Sequence, residues 1–187
     1  MHRPVIAFLM NENVVLNAED VVAVIQRLAG EIFHKTGTEP IALVGIQTRG
    51  VTLADRLAAE LASLGANFVQ GTLDISLYRD DLSNLAALPH IESSEIPFDV
   101  EGAHIVLCDD VLFTGRTIRA AMNVLLDYGR PACIELAVLA DRGRRELPIS
   151  ADYTGVKVET GAEDYLRVHF QETDQEDRVI HYTPEAT

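Results

Sequence analysis

The chain predicts an α/β fold, a mostly parallel central sheet flanked by helices, on three observations. Short, fully apolar runs recur at Ile41-Ala-Leu-Val-Gly-Ile46, Ile105-Val-Leu-Cys108 and Ile134 to Ala140. Runs without polar alternation belong to strands covered on both faces, as parallel strands are. Between them lie helical stripes, such as Val51, Ala54, Leu57, Ala58 and Leu61, and Ile118, Ala121, Met122 and Leu125. Polar clusters follow the apolar runs directly: Gln47-Thr-Arg-Gly50, Asp109-Asp110 and Asp141-Arg142. In an open α/β sheet these positions share the crevice at the carboxyl ends of the strands, where ligands bind.

Taken in order, Pro4 to Met10 reads as a short strand. Asn17 is a suitable N-cap with Asp20 three residues on, opening a helix with Val21, Ile25, Leu28, Ala29, Ile32 and Phe33 on one face. Gly37 and Pro40 close it, and the second strand is Ile41–Ile46. A helix over 51–64 ends at Gly65. Leu73, Ile75 and Leu77 alternate with Asp74, Ser76 and Tyr78, the pattern of a half-exposed strand. Residues 79–103, polar and broken by Pro89 and Pro97, read as a long surface excursion. The central strand Ile105–Cys108 precedes a helix over 117–128, capped by Gly129, and Ile134–Ala140 is the next strand. Strand-like pieces around Val156, Tyr165–Phe170 and Arg178–Tyr182 complete the tail, separated by an acidic run. With no repeat and no low-complexity linker, residues 1–187 form one domain.

A hydrophobic content of 48% with 24% charged residues is ordinary for a soluble globular protein, and two cysteines read as free thiols point to a reducing cytoplasm. No apolar run approaches the roughly 20 residues that span a bilayer, which argues against a membrane partner. The N-terminal run reads as a strand rather than a signal peptide, because Asn-Glu-Asn follows it instead of a small-residue cleavage site. Cys108 and Cys133 both lie in strand-like runs, as buried free thiols would, and no Cys/His cluster has zinc spacing. The formal net charge of −14 weighs against a simple nucleic-acid binder, which presents a basic face.

Chemistry concentrates in Ile105-Val-Leu-Cys-Asp-Asp-Val-Leu-Phe-Thr-Gly-Arg-Thr117. A buried strand ends at two acids, and a short loop then opens a helix. The first helical turn offers unpaired N–H groups and the positive end of the dipole, and Gly115 admits close backbone approach. Thr114 and Thr117 add hydroxyls and Arg116 adds charge. Asp109 and Asp110 would repel a phosphate, so they suit a ligand carrying neutral hydroxyls beside its phosphate, such as a ribose 5-phosphate.

This stretch resembles the signature of the type I phosphoribosyltransferases. The resemblance implies their fold, with a small hood and a flexible loop, and a site for phosphoribosyl pyrophosphate (PRPP). In that family the two acids bind the ribose 2- and 3-hydroxyls and the loop binds the 5-phosphate. The PRPP site therefore spans Asp109, Asp110, Val111, Leu112, Phe113, Thr114, Gly115, Arg116 and Thr117. Three further segments, Gly45-Ile-Gln-Thr-Arg-Gly-Val51, Asp74-Ile-Ser-Leu-Tyr-Arg-Asp-Asp-Leu-Ser83 and Asp141-Arg-Gly-Arg-Arg-Glu-Leu-Pro148, resemble the bifunctional pyrimidine-operon attenuators that are also uracil phosphoribosyltransferases. By that resemblance Thr48 and Arg49 bind pyrophosphate, and Arg49 joins Asp109 and Asp110 in catalysis. Tyr78, Arg79, Asp80 and Asp81 start the flexible loop, and Arg142 stands beside the base. Magnesium arrives with PRPP and is held by few protein ligands.

The resemblance also implies uracil, UMP and UTP as ligands, leader mRNA of pyrimidine genes as a partner, and a homodimer or higher homo-oligomer. Phe113 occupies the place where purine-specific members commonly carry an acid, and an aromatic ring there cannot exchange a proton, which favours a pyrimidine. Arg27, Arg144 and Arg145 are the candidate RNA contacts, but Arg27 is the first helix's only cation before Lys35. Three readings follow: a uracil phosphoribosyltransferase that regulates through RNA, the same enzyme without RNA binding, and a purine or orotate phosphoribosyltransferase.

Overall fold

The computed structural model describes residues 10–76 and 94–185. Five parallel strands form the central sheet in the order β3-β2-β4-β5-β6: β2 (Ile41–Ile46), β3 (Phe68–Leu73), β4 (His104–Leu112), β5 (Cys133–Asp141) and β6 (Tyr153–Lys157). Helices α1 (Ala18–Thr36) and α2 (Arg49–Ser63) cover one face, and α3 (Arg116–Tyr128) covers the other. Strand alternation divides the side chains between the two cores. Leu43, Val106, Cys108, Ala137 and Leu139 pack with α1 and α2, whereas Val44, Ile46, Ile105, Leu107 and Val138 pack with α3. Every residue of β2 is buried, as its unbroken apolar run predicts.

A second sheet, antiparallel and ordered β1-β8-β7, forms the hood from both ends of the chain: β1 (Met10–Leu16), β7 (Tyr165–His169) and β8 (Arg178–Pro184). The four-residue helix α4 (Gln171–Asp174) lies between β7 and β8. Phe170, Val168 and Val179 join the hood to the α1/α2 core.

Several expectations hold. Asn17 caps α1 through a capping box, its side chain accepting from Asp20 N while Asp20 accepts from Asn17 N. Gly37 and Gly65 adopt positive φ just past α1 and α2. Others are corrected. Of the Pro4–Met10 strand only Met10 lies among the described residues, and the strand observed runs from there to Leu16, held by β8 rather than by local alternation. Of the alternating segment, residues 74–76 are described and are not strand, and Leu77 and Tyr78 lie outside the described residues. β3 lies earlier, and Asp74 turns the chain out by accepting from Ser76 N at 2.7 Å. β4 does not stop at Cys108 but continues through both acids to Leu112, because β5 extends alongside it. Cys108 is buried as expected, whereas Cys133, the first residue of β5, is exposed. No described helix is long and apolar enough to cross a membrane.

Candidate active site

The sheet's strand order reverses between β2 and β4, and the crevice at their carboxyl ends collects the charged side chains. β2 hands over to α2 through Gln47 and Thr48, joined by a cis peptide. Two glycines allow the tight junction. A Cβ on Gly45 would lie 2.4 Å from Val51 Cα, and one on Gly50 would lie 2.4 Å from the Cys108 carbonyl oxygen and 3.2 Å from Asp109 Cα. The first turn of α2 therefore rests on the backbone of β4, bringing Thr48 and Arg49 beside the two acids.

Asp109 is buried and accepts from Asp110 N at 3.0 Å. Burial pushes the Asp110 carboxyl above the usual range, against the hydrogen bond shared with Asp109 and the nearby charge of Arg49. The acid pair is thus a concentrated, partly desolvated negative site that gains from a ligand offering hydroxyl donors or a cation. Its oxygen-only donor set fits a hard ion such as magnesium, which binds few protein ligands and keeps its waters.

Beyond Leu112 the loop Phe113-Thr114-Gly115 turns into α3. Gly115 takes φ +92°, and its missing side chain makes room for Leu147 and Ile149. The following segment braces this loop. Glu146 N and Leu147 N donate to Thr114 O at 3.0 and 3.1 Å, and Arg116 Nε donates to Glu146 at 2.8 Å. Arg145 donates to Phe113 O at 2.8 Å and to Asp141 Oδ2 at 2.6 Å. The first turn of α3 is consequently a fixed N–H cradle of the kind that binds phosphate.

Arg142 is buried, with its guanidinium 3.9 Å from the Phe113 ring centroid. It donates to Thr160 Oγ1 and to the Asp164 carbonyl, and burial pulls its pKa down. Beside it opens a cavity of about 410 Å³, lined by Asp141, Arg142, Arg144, Lys157, Val158 and Thr160. That volume is in the range of small-molecule sites.

The structure thus brings together Thr48, Arg49, Asp109, Asp110, Val111, Leu112 and the Phe113–Thr117 loop, with Arg142 adjoining through Phe113. Tyr78, Arg79, Asp80 and Asp81 lie outside the described residues. Arg27 is committed to Glu31 at 2.5 Å and to the carbonyls of Thr154 and Gly155, and Arg145 to the loop it braces. Arg144, at φ +55°, is exposed and makes one long hydrogen bond, 3.5 Å, to Thr160 O. Sequence reasoning missed the packing roles of Gly45 and Gly50, although both glycines stand in the segment it singled out. It also missed Glu146, and Asp174, whose side chain grips Arg49 from the acidic run.

One further cluster of ligand-type side chains was not legible from spacing: His104, Cys133 and Glu135 have ligand atoms within 4.8 Å of one another. It stands at the amino ends of β4 and β5, the opposite end of the sheet. The Glu135 carboxylate there is already taken up by Lys35, Tyr153 and His104.

Residues 13–175 match the family model of the phosphoribosyl transferase domain. The chain belongs to the phosphoribosyltransferase family. Among its phosphoribosyltransferase relatives, a protein of Deinococcus radiodurans named "Bifunctional protein PyrR" is 47% identical over 173 residues, covering 91% of this chain and 94% of the relative. Proteins of the same name from Deinococcus deserti and Thermus thermophilus are each 50% identical, covering 88% of this chain and 91% and 92% of theirs. These relatives place the chain with the PyrR branch. In fold it resembles the hypoxanthine phosphoribosyltransferase of Trypanosoma cruzi, with a TM-score of 0.68 at 17% identity over 92% of this chain and 97% of that one. The Staphylococcus aureus hypoxanthine enzyme gives 0.67 at 20% identity over 90% of both chains.

Proposed function

We propose that the protein is a uracil phosphoribosyltransferase, making UMP and pyrophosphate from uracil and PRPP, and that it also regulates pyrimidine genes by nucleotide-dependent binding to leader mRNA. The observation that carries the enzymatic reading is the juxtaposition of Asp109 and Asp110 with the Gly115 loop and with Arg49 at the carboxyl ends of β2 and β4.

In this reading the 5-phosphate sits on the N–H groups of the first turn of α3, with the Thr114 and Thr117 hydroxyls adding donors. Asp109 and Asp110 receive the ribose 2- and 3-hydroxyls. Binding energy from that remote phosphate positions the anomeric carbon. The bond from C1 to the pyrophosphate oxygen breaks and the bond to uracil N1 forms, with the N1 proton passing to solvent or to the departing pyrophosphate. The electron-deficient ribose of the transition state lies near the negative charge of Asp109 and Asp110. Arg49 and Thr48 bind the leaving pyrophosphate. The Asp109 and Asp110 oxygens are the residues that would help hold a magnesium ion brought with PRPP, which when bound would supply positive charge to offset that of the phosphates. The base occupies the cavity beside Arg142, against Phe113. Phe113 has no proton to exchange with a purine ring nitrogen, which supports a pyrimidine.

Comparing uracil, hypoxanthine and orotate as acceptors with PRPP tests this. Uracil should be the substrate by a wide margin. A preference for either other base would move the protein elsewhere in the family.

The second reading, the same enzyme without RNA binding, is favoured by the net charge of −14 and by the internal commitments of Arg27 and Arg145. A homo-oligomer would repeat any exposed cation such as Arg144 and so offset part of that charge. Titration with pyrimidine-gene leader RNA, with and without UMP or UTP, decides between the two. UMP-dependent binding that weakens steeply with salt supports the regulator. Absence of binding in a preparation that makes UMP supports the salvage enzyme alone.

A further inference from the structure

We propose that Asp174, on the hood, is a positioning residue that holds the Arg49 guanidinium by one edge so that its other edge meets pyrophosphate. The inference rests on the reading of Arg49 as a pyrophosphate ligand and assigns a partner to it that lies 125 residues away in the chain.

The contact is a fork. Arg49 Nε donates to Asp174 Oδ2 at 3.1 Å, and Arg49 Nη2 donates to Oδ1 at 2.5 Å. Both bonds use the side-on edge of the guanidinium. The end-on edge, formed by Nη1 and the second hydrogen of Nη2, has no hydrogen-bond partner among the described residues. A planar guanidinium pinned along one edge cannot rotate, so its remaining donors keep a fixed direction. Arg49 keeps 38% of its side-chain surface exposed, and it stands in the first turn of α2, which rests on β4 at Cys108 and Asp109, so its charge reaches Asp110.

Asp174 is itself fixed before it meets Arg49. Its Oδ2 accepts from Phe170 N at 3.1 Å and from Thr173 Oγ1 at 2.6 Å, within the turn of α4. The hydrogen bond from Arg49 holds the Asp174 carboxyl far below the usual range, so it stays charged at any working pH. α4 is in turn strapped to α2 two turns further on, where Arg56 binds Glu172 and Asp177. That second strap lies on the same face of α2 but about 10 Å along its axis from Arg49, and it supplies the internal control. An acidic hood segment that would otherwise repel pyrophosphate therefore serves the site by spending its charge on aiming an arginine.

The test is calorimetric titration of pyrophosphate with magnesium into the full chain and into Asp174→Asn, Arg49→Ala, Arg56→Gln and the Arg49→Ala/Asp174→Asn double variant, alongside steady-state kinetics with PRPP and uracil. Asp174→Asn should weaken pyrophosphate binding and raise the PRPP KM about tenfold, leaving the uracil KM within twofold, and Asp174→Glu should recover part of the loss. On the Arg49→Ala background Asp174→Asn should add nothing. Arg56→Gln should lower the melting temperature yet keep pyrophosphate affinity within twofold. Unchanged or tighter pyrophosphate binding in Asp174→Asn overturns the inference, as does an equal loss in Arg56→Gln, which would reduce the contact to a general strap. Pyrophosphate binding that fails in the wild type also overturns it. A wild type that binds pyrophosphate but forms no UMP counts against the uracil reading and leaves this one to the variants.

Discussion

Asp110 carries the acid-side behaviour of the site. Its carboxyl is pushed up by burial, so it gains a proton at a higher pH than the value of about 4 for a free side chain. In the proposed reaction the charged form receives the ribose hydroxyls, so PRPP affinity should be full above the raised value and fall as pH drops through it. A kcat/KM profile for PRPP should therefore show an acid limb displaced upward from pH 4, and the limb should vanish in Asp110→Asn. A flat profile down to pH 4 would contradict that reading. Gly50 gives a second prediction at this scale. A methyl group there meets the Cys108 carbonyl oxygen at 2.4 Å, and a backbone atom cannot swing aside. Gly50→Ala should cost about 1–3 kcal/mol of stability and cut PRPP turnover further, because α2 would lift Arg49 off β4. The clustering of these positions was legible in the sequence where residue type and neighbours declare it, as with Asp109, Asp110 and Gly115. It was not legible where function depends on a distant partner. Nothing near Arg49 names Asp174, and nothing near Gly50 says that β4 lies against it.

At the scale of elements, the link between hood and α2 should be sensitive to acid. Hydrogen bonds from Arg56 and Arg49 hold the Glu172 and Asp174 carboxyls below their usual range. Their folded values lie below the unfolded ones, so their stabilisation is complete above about pH 4 and is lost as pH falls through the lower folded values. Melting curves from pH 7 to 3 should drop at the acid end, and Asp174→Asn should flatten part of that drop. Phe170, fully buried under the Arg56 guanidinium 4.9 Å away, pins the same segment. Phe170→Ala should cost about 3–5 kcal/mol by leaving a cavity, measurable by urea unfolding. Elements with a strong local signal were read well: the α1 cap, the unbroken apolar β2 run and the α3 stripe. β1 and β3 were not, since their residues look loop-like or half-exposed and take strand form only through pairing with β8 and β2. The end of β4 was misplaced for the same reason, because backbone pairing with β5 carries the strand through two charged residues that composition alone would end it at.

For the molecule as a whole, a parallel sheet with its order reversing between β2 and β4 gathers loops at the carboxyl ends of its strands, and the hood meets them through the Asp174 contact with Arg49. That architecture explains why motifs some 60 residues apart in sequence lie side by side. The acidic surface and the internal use of Arg27 and Arg145 set the terms for any RNA contact, which must draw on cations such as Arg144 repeated across copies. The proposed reaction depends on the acid pair of β4 binding the ribose of PRPP. The most direct measurement is UMP formation from PRPP and uracil by Asp110→Asn, with circular dichroism and melting temperature showing an intact fold. Turnover reduced more than tenfold is the predicted result, and wild-type turnover from the folded variant would contradict the account.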